Sequence, residues 1–328
     1  MIIKGNISRT LQPIILAAIA GWLPVTLQAA TPGGTLHVVT TVAPITNIVR
    51  NVGGRYIDVT GVVPEGTDSH TFEPAPTDAK LLSGADLIIV NGLDLELPTV
   101  KLANKVKRPD VKIISLGERT ITRKQWQYDF SFPKAKGHPN PHLWPNVAYG
   151  MRYAEITRDV LSKLDPAHAD GYAANTKAYL AKLKKLDDAT FACVKSIPEK
   201  NRKLVTYHDS FAYFAPRYGM QVIAAVQPSD FSEPSPREVM SIIDQLKKVK
   251  VPAIFGSEVF PSKVLKQIAH ETGAKYIDQL ADDELPGKPG APEHSYIGLM
   301  ANDMNIMTEA LGGAHQCAAD VDPTDLPL

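Results

Sequence analysis

Short runs of apolar, often β-branched residues alternate with stretches of helical spacing along most of the chain. In the first half these runs predict strands at residues 37–41, 58–63, 86–90 and 111–116, with helices at residues 45–52 and 77–83 between them. Strands that alternate with helices in this order form a parallel sheet with helices on both faces. The first half is therefore predicted to be an α/β lobe.

The second half of the chain repeats the pattern. Its strands are predicted at residues 204–206, 221–226, 253–255 and 274–277, and its helices at residues 210–218, 236–248, 263–272 and 294–311. Between the halves, residues 167–197 hold no glycine or proline after Gly171, which predicts one long helix. The expected fold class is α/β: two parallel-sheet lobes, residues 31–165 and 198–328, joined by one long rigid helix at residues 166–197.

The first thirty residues have the layout of a cleavable signal peptide. Lys4 and Arg9 give a basic start, an apolar run follows at residues 13–27, and the small residues Ala29 and Ala30 mark the expected cleavage site. The alternative is an uncleaved N-terminal anchor, although the apolar run is short and interrupted. We therefore expect an exported, periplasmic protein whose signal peptide spans residues 1–30.

Composition excludes some partners and allows a disulfide. Lys+Arg and Asp+Glu each total 35, and this balance argues against nucleic acid or an anionic membrane as the main partner. Cys193 and Cys317 can form one disulfide in an exported protein, which would tie the C-terminal tail to the second lobe. Free thiols or a thiolate metal site are the alternatives, but the Cys-x-x-Cys spacing typical of such sites is absent from the sequence.

Four side chains suited to metal binding lie at predicted loops or strand ends, where α/β proteins gather functional groups. They are His70, His142, His208 and Asp278, two from each half of the chain. Three neutral imidazoles and one carboxylate suit a borderline metal ion such as Zn²⁺. The pattern therefore predicts a metal site in the cleft between the lobes, and the alternative is four unrelated loop residues.

Several longer motifs surround these side chains. Residues 68–78 read DSHTFEPAPTD, residues 91–96 read NGLDLE, residues 141–144 read PHLW, residues 205–214 read VTYHDSFAYF and residues 276–281 read YIDQLA. These motifs resemble the signatures of the cluster A-I (cluster IX) solute-binding proteins of metal ABC transporters. The resemblance extends from about residue 36 to residue 311 and implies the two lobes and the rigid linking helix.

The resemblance also implies roles for individual residues. It makes His70, His142, His208 and Asp278 the metal ligands, and a histidine at the third position is typical of zinc-type members, whereas manganese carriers usually have glutamate there. Asp209, Glu73 and Glu258 are candidates for orienting the imidazoles, and His138 and Glu258 are possible accessory ligands. The acidic segment 282–294 is an alternative source of the fourth ligand.

The function expected from the resemblance is high-affinity capture of a divalent metal, Zn²⁺ rather than Mn²⁺, and delivery to an ABC permease of the inner membrane. We expect a monomer and not an enzyme. A manganese- or iron-binding member of the same family is the first alternative. A mononuclear zinc hydrolase and a surface adhesin are further alternatives, although no HExxH or GxSxG motif is present in the sequence.

Overall fold

Two four-stranded parallel sheets form the framework of the protein in a computed structural model, which describes residues 1–2, 35–257 and 263–327. The first sheet has the strand order β2-β1-β3-β4 and the second has the order β6-β5-β7-β8. The strands are β1 Leu36–Thr40, β2 Ile57–Gly61, β3 Leu87–Val90, β4 Lys112–Ser115, β5 Lys203–Thr206, β6 Gln221–Ala225, β7 Ala253–Ser257 and β8 Lys275–Leu280. The predicted fold class is confirmed.

Helices cover both faces of each sheet. They are α1 Ala43–Gly53, α2 Pro76–Gly84, α3 Leu97–Val106, α4 Leu116–Thr120, α5 Val147–Leu164, α6 Ala169–Ser196, α7 Phe214–Tyr218, α8 Pro236–Val249, α9 Lys263–Thr272 and α10 Tyr296–Ala310. Proline lies in the first two positions of α1, α2, α3 and α8, where it lacks only an N–H that a helix leaves unbonded. These prolines favour the start of each helix at the observed position.

One hydrophobic core is shared by the inner faces of the two sheets, and each outer face has a smaller core of its own. Neighbouring residues of β1 point in opposite directions, so that Val38 enters the central core and Val39 enters an outer core beneath α2 and α3. Ile254 and Phe255 of β7 divide in the same way between an outer core and the central one. Strands buried on both faces explain the unbroken apolar runs in the sequence.

Helix α6 is the long linking element that the sequence predicts. Its 28 residues span about 42 Å, and it contacts α1, α5 and α10. One face of α6 packs into the central core through the buried side chains of Tyr172, Tyr179 and Leu183. Because this core includes residues of both sheets, α6 and its neighbours hold the two halves in one compact unit, residues 35–328.

Cys193 of α6 and Cys317, which follows α10, form the predicted disulfide. The chain after Cys317 continues toward α1, where the Asp325 carboxylate accepts hydrogen bonds from the side-chain amides of Asn47 and Asn51. The disulfide and these contacts anchor the C-terminal tail against α6 and α1.

The predicted signal peptide, including Ala29 and Ala30, lies almost entirely outside the described residues. Within the described ranges, none of the helices combines the length and the hydrophobicity that a bilayer crossing requires. The boundaries predicted for the lobes and the linker, residues 31–165, 166–197 and 198–328, stay a prediction.

Candidate metal centre

Three histidines from separate loops meet between the two sheets. His70 lies between β2 and α2, His142 precedes α5, and His208 follows β5. The Nε2 atom of His70 is 3.1 Å from Nε2 of His142 and 3.0 Å from Nε2 of His208. Ligand atoms around one tetrahedral zinc ion lie about 3.3 Å apart, so the three nitrogens are spaced as ligands of a single ion.

A carboxylate completes the cluster. Each of the three histidines and Asp283 has a ligating atom within 4.8 Å of those of the others. Asp283 follows β8; its Oδ2 accepts a hydrogen bond of 2.8 Å from the Ser69 hydroxyl, and its Oδ1 lies 3.9 Å from Nε2 of His142. Among the described residues this buried Oδ1 has no hydrogen-bond partner. A buried oxygen of this kind is costly unless something binds it, and a metal ion would do so.

Burial keeps two of the imidazoles neutral and able to bind a cation. Burial, together with the charge of His208, lowers the pKa of His70 and of His142 well below the usual value. A metal ligand must present a lone pair. At a histidine that stays unprotonated at neutral pH, protons do not compete with the metal and do not lower its affinity. His70 and His142 are therefore in the form that binds metal.

His208 behaves differently because acidic side chains surround it. Its Nδ1 lies 3.1 Å from Oδ2 of Asp282. Burial alone lowers the pKa of His208, but the carboxylates of Asp282 and Asp283 outweigh burial and raise the pKa to about 10. The Asp282 contact fixes the ring with Nε2 toward the other histidines, and the proton on that Nε2 must leave before a metal binds.

Hydrogen bonds from the surrounding loops orient the cluster. Nδ1 of His142 lies 2.8 Å from Oδ1 of Asn140, an acceptor that leaves Nε2 of the ring for the metal. The amide of Asn140 donates in turn to the backbone oxygen of Asp209. Asp282 is held by the Ser210 hydroxyl at 2.7 Å, and its backbone oxygen accepts from the indole of Trp144.

Asp278, the predicted carboxylate ligand, is not part of this cluster, in which the carboxylate belongs to Asp283. The sequence places the end of the last strand at residue 277, whereas β8 continues to Leu280. Asp278 therefore stays inside an edge strand with an exposed side chain. The loop that reaches the histidines begins after Leu280, within the acidic segment that the sequence offers as the alternative.

The predicted supporting residues are only partly at the site. The side chain of Asp209 accepts a hydrogen bond from the backbone N–H of Ser131 and does not orient an imidazole directly. Glu73 is exposed and lines a groove beside α3. His138 is exposed, lies 2.8 Å from the Asp94 carboxylate and is outside the ligand cluster. Glu258 lies outside the described residues.

The residues that do orient the imidazoles, Asn140 and Asp282, were not among the predicted candidates for that role. Asn140 stands two positions before His142 in a proline-rich loop, and Asp282 directly precedes Asp283. Polar residues beside a predicted ligand are the signal that could have found both, because metal-binding histidines generally need an acceptor for their second nitrogen.

Comparison with known proteins gives a family and several metals. The profile of the family described as ZnuA, zinc-uptake complex component A, periplasmic, matches residues 38–310. The iron-binding protein YfeA of Yersinia pestis is 30% identical over 275 residues, 84% of this chain and 86% of the relative. The manganese ABC transporter substrate-binding lipoprotein PsaA of Streptococcus anginosus is 30% identical over 290 residues, 86% of this chain and 91% of the relative.

A solved structure agrees with both the fold and the family. The periplasmic zinc-binding protein TroA from Treponema pallidum superposes with a TM-score of 0.77 at 27% identity, over 85% of this chain and 99% of that one. The family match covers most of the chain, and the three histidines and Asp283 provide it with a site for a divalent metal. This chain therefore belongs to the ZnuA family of metal-binding substrate-binding proteins, which deliver metal ions to ABC permeases and are not enzymes.

Proposed function

We propose that this protein captures Zn²⁺ with high affinity in the periplasm and delivers it to an ABC permease of the inner membrane. The observation that carries the proposal is the convergence of three imidazole Nε2 atoms with an unbonded, buried oxygen of Asp283. We propose His70, His142, His208 and Asp283 as the four ligands. The metal is the cargo of the protein, so the site has to hold it tightly and later release it.

The preference for zinc rests on the chemistry of the donors. Three nitrogens and one carboxylate form a softer ligand set than the oxygen-rich sites that suit manganese. The resemblance in sequence supports the same choice, because His208 stands where manganese carriers usually have glutamate. The relatives leave the metal open, since their names refer to iron, manganese and zinc.

The ligand count supports capture rather than catalysis. A catalytic zinc keeps one coordination position open for water, with a general base beside it. In the proposed site Asp283 would supply the fourth ligand in place of such a water, and the family consists of binding proteins. The hydrolase alternative is therefore set aside, whereas a manganese- or iron-binding role stays the competing proposal.

The remaining parts of the proposal concern location and assembly. A signal peptide at residues 1–30, cleaved near Ala29 and Ala30, would deliver the protein to the periplasm. There the disulfide between Cys193 and Cys317 would be stable, because that compartment is oxidising. We propose that the exported protein acts as a monomer and has no nucleic-acid partner.

Replacement of His208 tests the assignment of the site. His208→Ala removes one of three nitrogen ligands, so we expect zinc affinity to fall by about 100-fold or more while the far-UV circular dichroism spectrum stays unchanged. Affinity is measured by competition with a chromophoric chelator. His315→Ala is the matched control, because His315 is exposed, lies outside the ligand cluster and has its Nδ1 2.9 Å from the Glu309 carboxylate.

Two results would count against the proposal. Unchanged zinc affinity in His208→Ala would remove His208 from the site. A wild-type protein that binds Mn²⁺ more tightly than Zn²⁺ would keep the site and replace the proposed cargo.

A further inference from the structure

Phe231 covers the metal centre in a backbone conformation that large side chains rarely adopt. It lies in the loop of residues 226–235 between β6 and α8, and its φ angle is 58°. Positive φ at a bulky residue is an outlier that persists only where the surroundings hold it. Such residues gather at ligand clamps, so the role of this phenylalanine needs an explanation.

The ring of Phe231 lies flat against the imidazole of His70. The ring centroids are 4.5 Å apart and the planes differ by 9°. Phe132 closes the same side, with its ring 5.5 Å from that of His70, 5.7 Å from that of His142 and 5.8 Å from that of Phe231. Together Phe132 and Phe231 form an aromatic cover over two of the proposed ligands.

The loop that carries Phe231 is anchored on both sides of the ring. The backbone N–H of Gln227 donates to the oxygen of Tyr207, and its own oxygen accepts from the Ser131 hydroxyl at 2.6 Å. On the other side, Ser235 caps α8 through a reciprocal pair of hydrogen bonds with Glu238. These anchors hold the intervening residues in the strained conformation that presents the ring to His70.

The position of the cover matches the exposed side of the site. His142, His208 and Asp283 are buried, whereas His70 is only partly buried. Solvent therefore reaches the ligand cluster past His70, and Phe231 lies directly on that ring. The stack also joins the two halves of the molecule, because His70 follows β2 of the first sheet and Phe231 follows β6 of the second.

We propose that Phe231 is a positioning residue that retains the bound ion, by holding the His70 ring toward the metal and by excluding water and competing ligands from that side. This inference rests on the proposed function, since it needs an ion bound by His70. Loss of the ring should free the His70 imidazole to rotate and should open the path by which the ion leaves. The effect is expected mainly on the rate of release, with little change in the rate of binding.

The test compares Phe231→Ala with Phe231→Tyr, which keeps the stacking ring. Each protein is loaded with Zn²⁺ and mixed with an excess of a chromophoric chelator, and release is followed in a stopped-flow instrument by the absorbance of the zinc-bound chelator. We expect release from Phe231→Ala to be about tenfold or more faster, with one ion still bound per chain at the start. Phe231→Tyr should stay within about twofold of the wild type because aromatic stacking is retained.

Phe130→Ala is the matched control, because Phe130 is an exposed phenylalanine of the neighbouring loop. It should release zinc at the wild-type rate. Co²⁺ loading gives a second readout: its visible absorption bands should change in Phe231→Ala if His70 loses its fixed orientation, and they should stay unchanged in Phe130→Ala. Phe231→Gly, which adopts positive φ without strain, replaces Phe231→Ala if the alanine variant does not fold.

Wild-type release rates in both Phe231→Ala and Phe231→Gly would overturn the inference while the proposed function stands. Equal acceleration in Phe130→Ala would also overturn it, because the effect would then not depend on the stack. If the wild-type protein itself retains no Zn²⁺, the proposed function fails and the inference fails with it.

Discussion

At the scale of single residues, two of the three histidines have a polar partner for the ring nitrogen that faces away from the cluster. Asn140 accepts from His142, and Asp282 lies against Nδ1 of His208. These partners select the tautomer and orientation that direct Nε2 to the centre. The Asn140 amide is neutral and the Asp282 carboxylate is charged. Without metal, His142 is therefore neutral, whereas His208 is protonated.

Zinc binding should therefore release protons in a way that depends on His208. Its pKa of about 10 keeps the imidazole protonated at pH 8, whereas His70 and His142 are already neutral. Since zinc displaces that proton, we expect about one proton released per ion at pH 8. Isothermal titration calorimetry in buffers of different ionisation enthalpy measures the number, and zinc affinity should fall as the pH is lowered.

The same experiment on Asp282→Asn tests whether the Asp282 carboxylate is what keeps His208 protonated. Without the Asp282 charge the pKa of His208 falls, and proton release at pH 8 should drop well below that of the wild type. Equal release from the two proteins would show that Asp282 does not hold the proton on His208.

The proposal that Asp283 rather than Asp278 binds the metal is tested by substituting each of the two residues. Asp283→Asn removes the only charged oxygen donor proposed for the ion, so we expect zinc affinity to fall by about 100-fold. Asp278→Asn changes an exposed strand residue and should leave affinity within about twofold. Chelator competition on both variants measures the difference, and the opposite ranking would restore Asp278 as the ligand.

Most of the site could be predicted from the sequence because its histidines lie within long motifs at loop positions. The carboxylate of the cluster could not be predicted, because the choice between Asp278 and Asp283 depends on where β8 ends. Strand ends are set by pairing with the neighbouring strand, here Ser257 of β7 opposite Leu280, and the register shift between these strands is invisible in the sequence. The predicted strand ended three residues too early, at residue 277. Asp278 was therefore expected in the loop, although it lies inside β8.

At the scale of secondary structure, loops supply the ligands and long helices hold those loops. The predicted helix at residues 167–197 closely matches α6, since an uninterrupted run of good helix formers fixes its type and length. Short helices were harder to predict: α7 begins at Phe214, four residues after the predicted start at residue 210. Residues 208–210 instead lie in a loop, in which His208 contacts Asp282 and Ser210 donates a hydrogen bond to the same carboxylate.

The disulfide should support the fold and leave the metal site unaffected. It closes a loop of 124 residues and fastens the end of the chain to α6, away from the four ligands in sequence. Replacing both cysteines by serine should lower the free energy of unfolding by about 2–5 kcal/mol, because the unfolded chain gains freedom. Thermal denaturation and zinc titration of the double variant test this, and a loss of zinc binding at unchanged fold would contradict it.

At the scale of the whole molecule, two sheets share one central core, which the alternation of strands and helices does not reveal. The sequence predicts two lobes and a linker, whereas residues of β1, α6, β5 and α10 belong to one apolar cluster. Such a shared core favours small movements of loops around the site over wide opening of the lobes. The aromatic cover formed by Phe132 and Phe231 is one such loop feature, and its contact with His70 emerges only from the folded chain.

Metal analysis of chelator-stripped protein shows whether this protein captures one zinc ion. The protein is titrated with Zn²⁺ and Mn²⁺ in competition, and bound metal is counted after desalting. We expect about one tightly held zinc per chain that manganese does not displace, and we expect His70→Ala to lose that zinc. No stoichiometric metal, or manganese retained against an equal amount of zinc, would contradict it.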